Sequence, residues 1–158
     1  MNPDDALGDA LVRTSFRVMA VLTRIAAEHD LSLTQLRVLG ILRDRRPRMT
    51  DLAAFLGLDK STMSGLVERA ERRGLVARDK SPQDRRAVDV FITPAGSELA
   101  ERLQEEVRAA LKPFMDRLEP DEHRQLAQLL DTLSGSSTTD ATSTGPTNAP
   151  APPSPLTT

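Results

Sequence analysis

Cysteine, tryptophan and tyrosine are all absent from the 158 residues. Without cysteine there is no disulfide, no thiolate metal ligand and no thiol redox sensor. Aromatics make up only 3% of the chain, so a core has to be assembled from Leu, Val, Ile, Met and Ala, a set that favours helices. No run of about 18 apolar residues exists to span a bilayer, and the opening MNPDDALGDA is acidic where a secretory signal is basic. The usual catalytic signatures are missing as well: there is no Gly-rich phosphate loop, no H-E-x-x-H and no G-x-S-x-G. His29 and His123 stand alone in sequence and read as solvated or capping residues rather than metal ligands. Together these absences predict a soluble, cytoplasmic protein that is not an enzyme, with no membrane segment, no cofactor, no metal and no catalytic residues.

What is present is an uneven distribution of charge. The formal net charge is only -2, but residues 37–86 hold 13 Lys or Arg against 7 Asp or Glu, a net of +6, leaving -8 for the remainder. A basic middle between acidic flanks is the asymmetry expected when one part of a chain faces a polyanion. Scatter of solvated side chains is the plainer alternative.

The flanks read as helices. From Asp5 to about Glu28, Leu7, Ala10, Leu11, Val18, Val21, Leu22 and Ile25 recur at threes and fours. A second helix opens at Thr93 and Pro94, a polar N-cap followed by proline at the first helical position, and runs through Leu99, Leu103, Val107, Ala110, Leu111 and Phe114. Pro113 is expected to kink or break it. A third follows Pro120, with Leu126, Leu129, Leu130 and Leu133 on one face. These stripes, from residues 1–31 and 94–133, need burial; a second subunit is the economical partner and packing within one chain the alternative. Residues 134–158 are 17 of 25 Ser, Thr or Pro and read as a disordered tail.

Residues 32–93 carry the recognisable chemistry. Thr34 is expected to cap TQLRVLGILRD, Thr50 to cap DLAAFLG, and Asp59 to cap KSTMSGLVERAERRG, three short helices with the spacing of a helix-turn-helix. In the last of these Met63, Leu66, Val67 and Ala70 form one buried stripe, and Gly74 supplies the left-handed residue that ends the helix. The other face carries Ser61, Ser64, Gly65 and Glu68. Small residues at a positively polarised helix start permit close approach to phosphates or base edges, with the hydroxyls as donors. A mid-helix glycine costs about 1 kcal/mol relative to alanine; Gly65 is either offset by close approach to DNA or simply tolerated.

Two short strands follow, Val76 to Lys80 and Val88 to Ile92, the second alternating Val88, Val90 and Ile92 against Asp89 and Phe91. Between them SPQDRR forms a charged tip. An isolated hairpin is marginal in water, so this one has to lean on the helices and project its arginines, which suit a narrow minor groove.

The run from LTQLRVLGIL through MTDLAAFLGLDKSTMSGLVERAERRGLVARDKSPQDRRAVDVFITPAG resembles the MarR family of winged-helix transcriptional regulators. With the flanking helices the resemblance spans residues 5 to about 133, and its specific part is the helix-turn-helix followed by GLVxR, a DRR tip and an LTPAG-like helix start. It implies a mostly α fold with a small β-hairpin wing, in which a winged helix-turn-helix is joined to a helical dimerisation region. Lys60, Ser61, Thr62, Ser64 and Gly65 would lie on a recognition helix in the major groove. Arg86 would enter the minor groove, with Arg85 nearer the phosphates and Asp84 paired with Arg69 to brace the wing. Relatives often carry a long polar residue at position 65 and leucine at 70, where this chain has Gly65 and Ala70. Many bind a small lipophilic or aromatic effector between the dimer helices and the winged helix, for which Met19, Leu22 and Leu42 are candidate lining residues, although a stripe of this kind is more often plain core. The expected function is a homodimeric repressor on a pseudo-palindromic operator in double-stranded DNA, released by such an effector. The alternative is a winged helix used for protein contact without specific DNA binding.

Overall fold

Capping and turn chemistry set most element boundaries in the computed structural model, which describes residues 2–135. The order is α1 (Pro3–Glu28), α2 (Leu33–Asp44), α3 (Met49–Leu56), α4 (Lys60–Arg72), β1 (Val76–Lys80), β2 (Val88–Ile92), α5 (Pro94–Met115) and α6 (Pro120–Ser134). The chain divides between Arg117 and Leu118 into two units, the first holding α1 through α5 and the second α6. No helix of the described residues is long and apolar enough to cross a membrane. Of the tail expected from 134, Ser134 instead closes α6 and Gly135 ends it with φ +70°; the rest of that expectation, residues 136–158, lies outside the described residues.

Two caps differ from those expected. α2 starts after Ser32, not Thr34: Ser32 Oγ accepts from the Gln35 N–H at 3.1 Å while the Gln35 side chain accepts from the Ser32 N–H at 2.8 Å. That reciprocal box satisfies two otherwise orphaned donors. α3 starts at Met49 with no side-chain cap, so Thr50 sits inside it. Its entry is fixed by tertiary pairing instead, since Arg48 forms a β-bridge to Asp89 and its carbonyl accepts from the Leu52 N–H at 3.0 Å. Asp59 and Thr93 cap α4 and α5 as expected. Pro113 does not break α5 there; the helix runs on to Met115 with the bond that a residue-113 N–H would have made to the Ala109 carbonyl forgone.

The core of the first unit is the helix-turn-helix closed by the hairpin and the ends of α1 and α5. Ile25, Leu52, Met63, Val67 and Val90 are its largest fully buried side chains. All four residues of the expected α4 stripe, Met63, Leu66, Val67 and Ala70, are buried. β1 and β2 pair antiparallel from Val76↔Ile92 to Lys80↔Val88. The α2–α3 linker adds to the sheet through the Arg48↔Asp89 bridge and a Val90 N–H donated to the Pro47 carbonyl at 2.9 Å. This outer pairing spoils the expected alternation in β2: Asp89 is buried and Val88 exposed.

α4 ends in a Schellman motif, in which the Gly74 N–H donates to the Glu71 carbonyl and the Leu75 N–H to that of Ala70, with Gly74 at φ +70°. The freed Leu75 carbonyl accepts from the Thr93 N–H at 3.1 Å. Gly96 rests on that same carbonyl so closely that a Cβ there would stand 1.9 Å from it. At Gly65, by contrast, a Cβ would meet only an arginine tip at 3.7 Å. Thus Gly96→Ala should lower the melting temperature by more than about 5 °C. Gly65→Ala should leave it unchanged or raise it, by up to about 1 kcal/mol of stability. Paired thermal melts check both, and equal effects would refute the steric account.

Candidate nucleic-acid interface

α4 buries one stripe and turns the opposite side outward. Lys60, Ser61 and Thr62 are exposed, while Ser64 and Gly65 are half-buried. Asp59 organises the first turn by accepting from the Thr62 N–H at 2.8 Å, from Thr62 Oγ1 at 2.6 Å and from Ser61 Oγ at 2.7 Å. Those bonds to its charged form hold the Asp59 carboxyl well below the usual carboxylate range. A depressed folded-state value means that the cap stabilises the fold above the ordinary carboxylate range and is lost only as the pH falls below it.

The tip of the hairpin is ordered by its own backbone. The Ser81 N–H donates to the Ala87 carbonyl at 3.0 Å, the Ala87 N–H to the Asp84 carbonyl at 2.9 Å, and the Arg86 N–H to Asp84 Oδ1 at 3.0 Å. Ser81 is buried beneath the turn. Arg85 and Arg86 are exposed. Helix and hairpin meet along a groove of about 230 Å³ lined by Met49, Thr50, Lys60, Ser64, Arg78, Arg86, Ala87 and Val88. Lys60 and Ser64 from the helix and Arg86 from the tip, all read from sequence as contact residues, therefore share one concave surface with a third cation, Arg78.

The brace differs from the one expected. Among the described residues Asp84 and Arg69 form no ion pair; the Asp84 carboxylate is engaged by the Arg86 backbone of its own turn. The hairpin is tied to α4 by Arg78 Nη2 and Glu71 Oε2 at 2.6 Å, with both side chains largely covered. From the other side, Arg46 lies 4.2 Å above the Phe91 ring with its Nε 3.5 Å from Asp89 Oδ2. Sequence reasoning missed both contacts. The available signal was an aspartate inside the apolar strand VDVFI, which demands a cationic partner, and an arginine-rich linker, RDRRPR, to provide it.

Of the three candidate effector residues, Leu22 lines a cleft. The cleft, of about 180 Å³, lies between α1, α2 and α5 and includes Leu36, Leu39, Arg43, Leu103 and Val107. Leu42 is core, 2% exposed, and Met19 faces outward on α1. His29 joins α1 to α5 through Nε2, 2.9 and 3.0 Å from the two Glu106 carboxylate oxygens. Arg73, just past α4, donates to the Asp30 and His29 carbonyls at 2.8 and 2.9 Å.

Residues 29–87 match the model of the MarR family. The homoprotocatechuate degradative operon repressor of Escherichia coli is 30% identical over 129 residues, covering 80% of this chain and 86% of that one. The chain belongs to the MarR family. Solved MarR-like structures share its architecture. A MarR-family transcriptional regulator from Rhodococcus sp. RHA1 aligns with a TM-score of 0.72 at 25% identity, covering 85% of this chain and 96% of that one. Bordetella bronchiseptica BpsR, whose DNA binding is regulated by 6-hydroxynicotinic acid, aligns at 0.68 and 28% identity, with the same coverages. The chain is thus a DNA-binding transcriptional regulator of the MarR type, and the groove between α4 and the hairpin falls where a winged helix presents its recognition helix and wing.

Arg46 holds this MarR wing by its base, so Arg46→Ala should speed hydrogen exchange at the Val90 amide by about two- to fivefold and leave the Val67 amide in α4 unchanged. Equal protection of Val90 in both proteins would show that Arg46 fastens nothing.

Proposed function

We propose that the protein is a cytoplasmic, homodimeric repressor that binds a pseudo-palindromic operator and is released by a small lipophilic or aromatic effector; the reading gives it no catalytic role. The observation that carries the DNA-binding part is the shared groove of Lys60, Ser64 and Arg86. α4 enters the major groove with Lys60, Ser61, Thr62, Ser64 and Gly65 foremost. Arg86 reaches the adjacent minor groove, where a guanidinium meets the deepest negative potential, and Arg85 meets phosphate. Repression is steric, the two halves of the dimer lying about 34 to 36 Å apart on one face of the duplex.

Pairing of subunits is supported by apolar side chains left uncovered. On α1 Leu7, Val12, Phe16 and Met19 are exposed, on α5 Phe114 and Met115. α6 has no buried residue, and Leu126, Leu129, Leu130 and Leu133 are all exposed. A helix of this length gains its stability from burying such a face, and a twofold partner offers matching surfaces. The cleft lined by Leu22 supplies an apolar floor for a ring, with Arg43 at its edge for an acidic group. Arg43 now pairs with Asp44 through two bonds of 3.1 and 2.8 Å. BpsR's 6-hydroxynicotinic acid, an aromatic carboxylate, is ligand chemistry of that type.

Binding to the operator should weaken roughly a thousandfold between 50 and 200 mM salt if a dimer makes about six phosphate contacts. A module that contacts protein would lack that slope. Arg86→Ala should cost about 1 to 3 kcal/mol of operator affinity and remain dimeric. Leu129→Asp with Leu133→Asp should sediment as a monomer and lose the operator. An Arg86→Ala protein that binds like the parent would refute the wing assignment, and a dimeric double variant the role of α6.

A further inference from the structure

The hydroxyls at the start of α4 have their hydrogens committed. Ser61 Oγ donates to Asp59 Oδ1 at 2.7 Å and Thr62 Oγ1 to Oδ2 at 2.6 Å, while the Thr62 N–H fills a second site on Oδ1. A hydroxyl has one hydrogen and two lone pairs. With the hydrogen turned to Asp59, each oxygen offers an approaching ligand lone pairs only. The carboxylate itself, ionised throughout the neutral range, keeps a free acceptor site on Oδ2. Residues 59–62 are all exposed. This turn is therefore an acceptor surface beside the Lys60 ammonium, the reverse of the donor role that the sequence suggests for these hydroxyls.

Phosphate oxygens also only accept, so the two hydroxyls cannot anchor them without abandoning short bonds to a charged partner. Leaving that carboxylate unpaired beside a polyanion would be unfavourable, whereas receiving a hydrogen bond costs the network nothing. Donors are scarce on the floor of the major groove. Guanine N7 and O6, adenine N7 and thymine O4 accept; only adenine N6 and cytosine N4 donate.

We propose that Asp59 is a specificity-determining residue: by fixing the polarity of the Ser61 and Thr62 hydroxyls, it makes the first turn of α4 read the amino-bearing edges of adenine or cytosine. The inference rests on the DNA-binding reading above. It ties base preference to a side chain whose visible role is to cap a helix.

The test selects bound duplexes from a randomised pool with the full chain and with Ser61→Ala, Thr62→Val and Asp59→Asn. The first two variants mark the positions these hydroxyls read, by flattening preference there. At those positions the parent should select adenine or cytosine. Asparagine retains an oxygen for the Thr62 N–H and the Ser61 hydroxyl but presents an NH₂ group where Oδ2 accepted from Thr62 Oγ1, so Asp59→Asn should move the preference at the position Thr62 reads toward guanine or thymine and leave the others, that of Ser61 included, alone. On the parent protein, which needs no variant to fold, removing the exocyclic amino group from the preferred base should weaken binding about three- to tenfold. Replacing purine N7 by carbon should not. Guanine or thymine at the marked positions, an unchanged Asp59→Asn profile, no marked position at all, or sensitivity to N7 rather than the amino group would each overturn the proposal. A parent that selects no sequence would overturn the DNA-binding reading with it.

Discussion

The carbonyl of Leu75 is the point through which the winged helix is assembled. It becomes available because Gly74 turns left-handed and closes α4 with its own two backbone bonds. It then takes the Thr93 N–H, while Thr93 Oγ1 both donates to the Gly74 carbonyl at 2.6 Å and accepts from the Gly96 N–H at 3.1 Å. Gly96 lies flat against it. The end of the recognition helix, the first residue of β1, the last of β2 and the start of α5 are thereby brought within one residue's breadth. The end of α4 and the start of α5 are thus joined by the Thr93 side chain as well as by backbone contact.

From that junction outward the wing is held on both sides. Glu71 and Arg78 connect it to α4, and Arg46, packed between Asp89 and Phe91, connects it to the α2–α3 linker. Arg78 and Glu71 are each about a third exposed or less, and the half-exposed Arg46 meets a buried Asp89 carboxylate at 3.5 Å. The value of these contacts is in geometry. A hairpin fixed to α4 and to the α2–α3 linker keeps Arg86 in register with Lys60 and Ser64 across the groove. Opposed contacts define a position better than one contact on a single side.

What was legible in the sequence was what neighbouring residues decide among themselves. The Asp59 cap, the Thr93–Pro94 start, the Gly74 stop and the Met63, Leu66, Val67, Ala70 stripe each lie within a turn or two of their partners, and all are present. Ser32 was overlooked in favour of Thr34 because either hydroxyl suits a cap and only Gln35, three residues on from Ser32, distinguishes them. Helix α3 starts without a cap because Asp89, some forty positions away, pairs with Arg48. The wing brace was assigned to Arg69 and Asp84, yet Asp84 satisfies its own turn first, and a local hydrogen bond wins over one that must order two long side chains. Of the effector candidates, Leu42 is core, the commoner meaning of such a stripe, since periodicity identifies a buried face without saying whether core or cleft lies against it.

On the proposed reading, the small size of the cleft between α1, α2 and α5 is itself part of the regulation. At about 180 Å³ it falls below the roughly 300 to 1,000 Å³ usual for ligand sites. A cleft that already fitted an effector would bind it equally in DNA-competent and DNA-incompetent forms, and equal affinity shifts no population. A cleft too small to be filled as it stands forces the ligand to part α2 from α5, so its affinity is highest for the form in which they are apart. The Thr93–Leu75 junction lies at the start of α5 and His29–Glu106 farther along it, with Arg73 returning from the His29 and Asp30 carbonyls to the end of α4. The end of α4 is therefore connected to the helices around the cleft at two separate points, so a ligand that parted them would act on α4 through both.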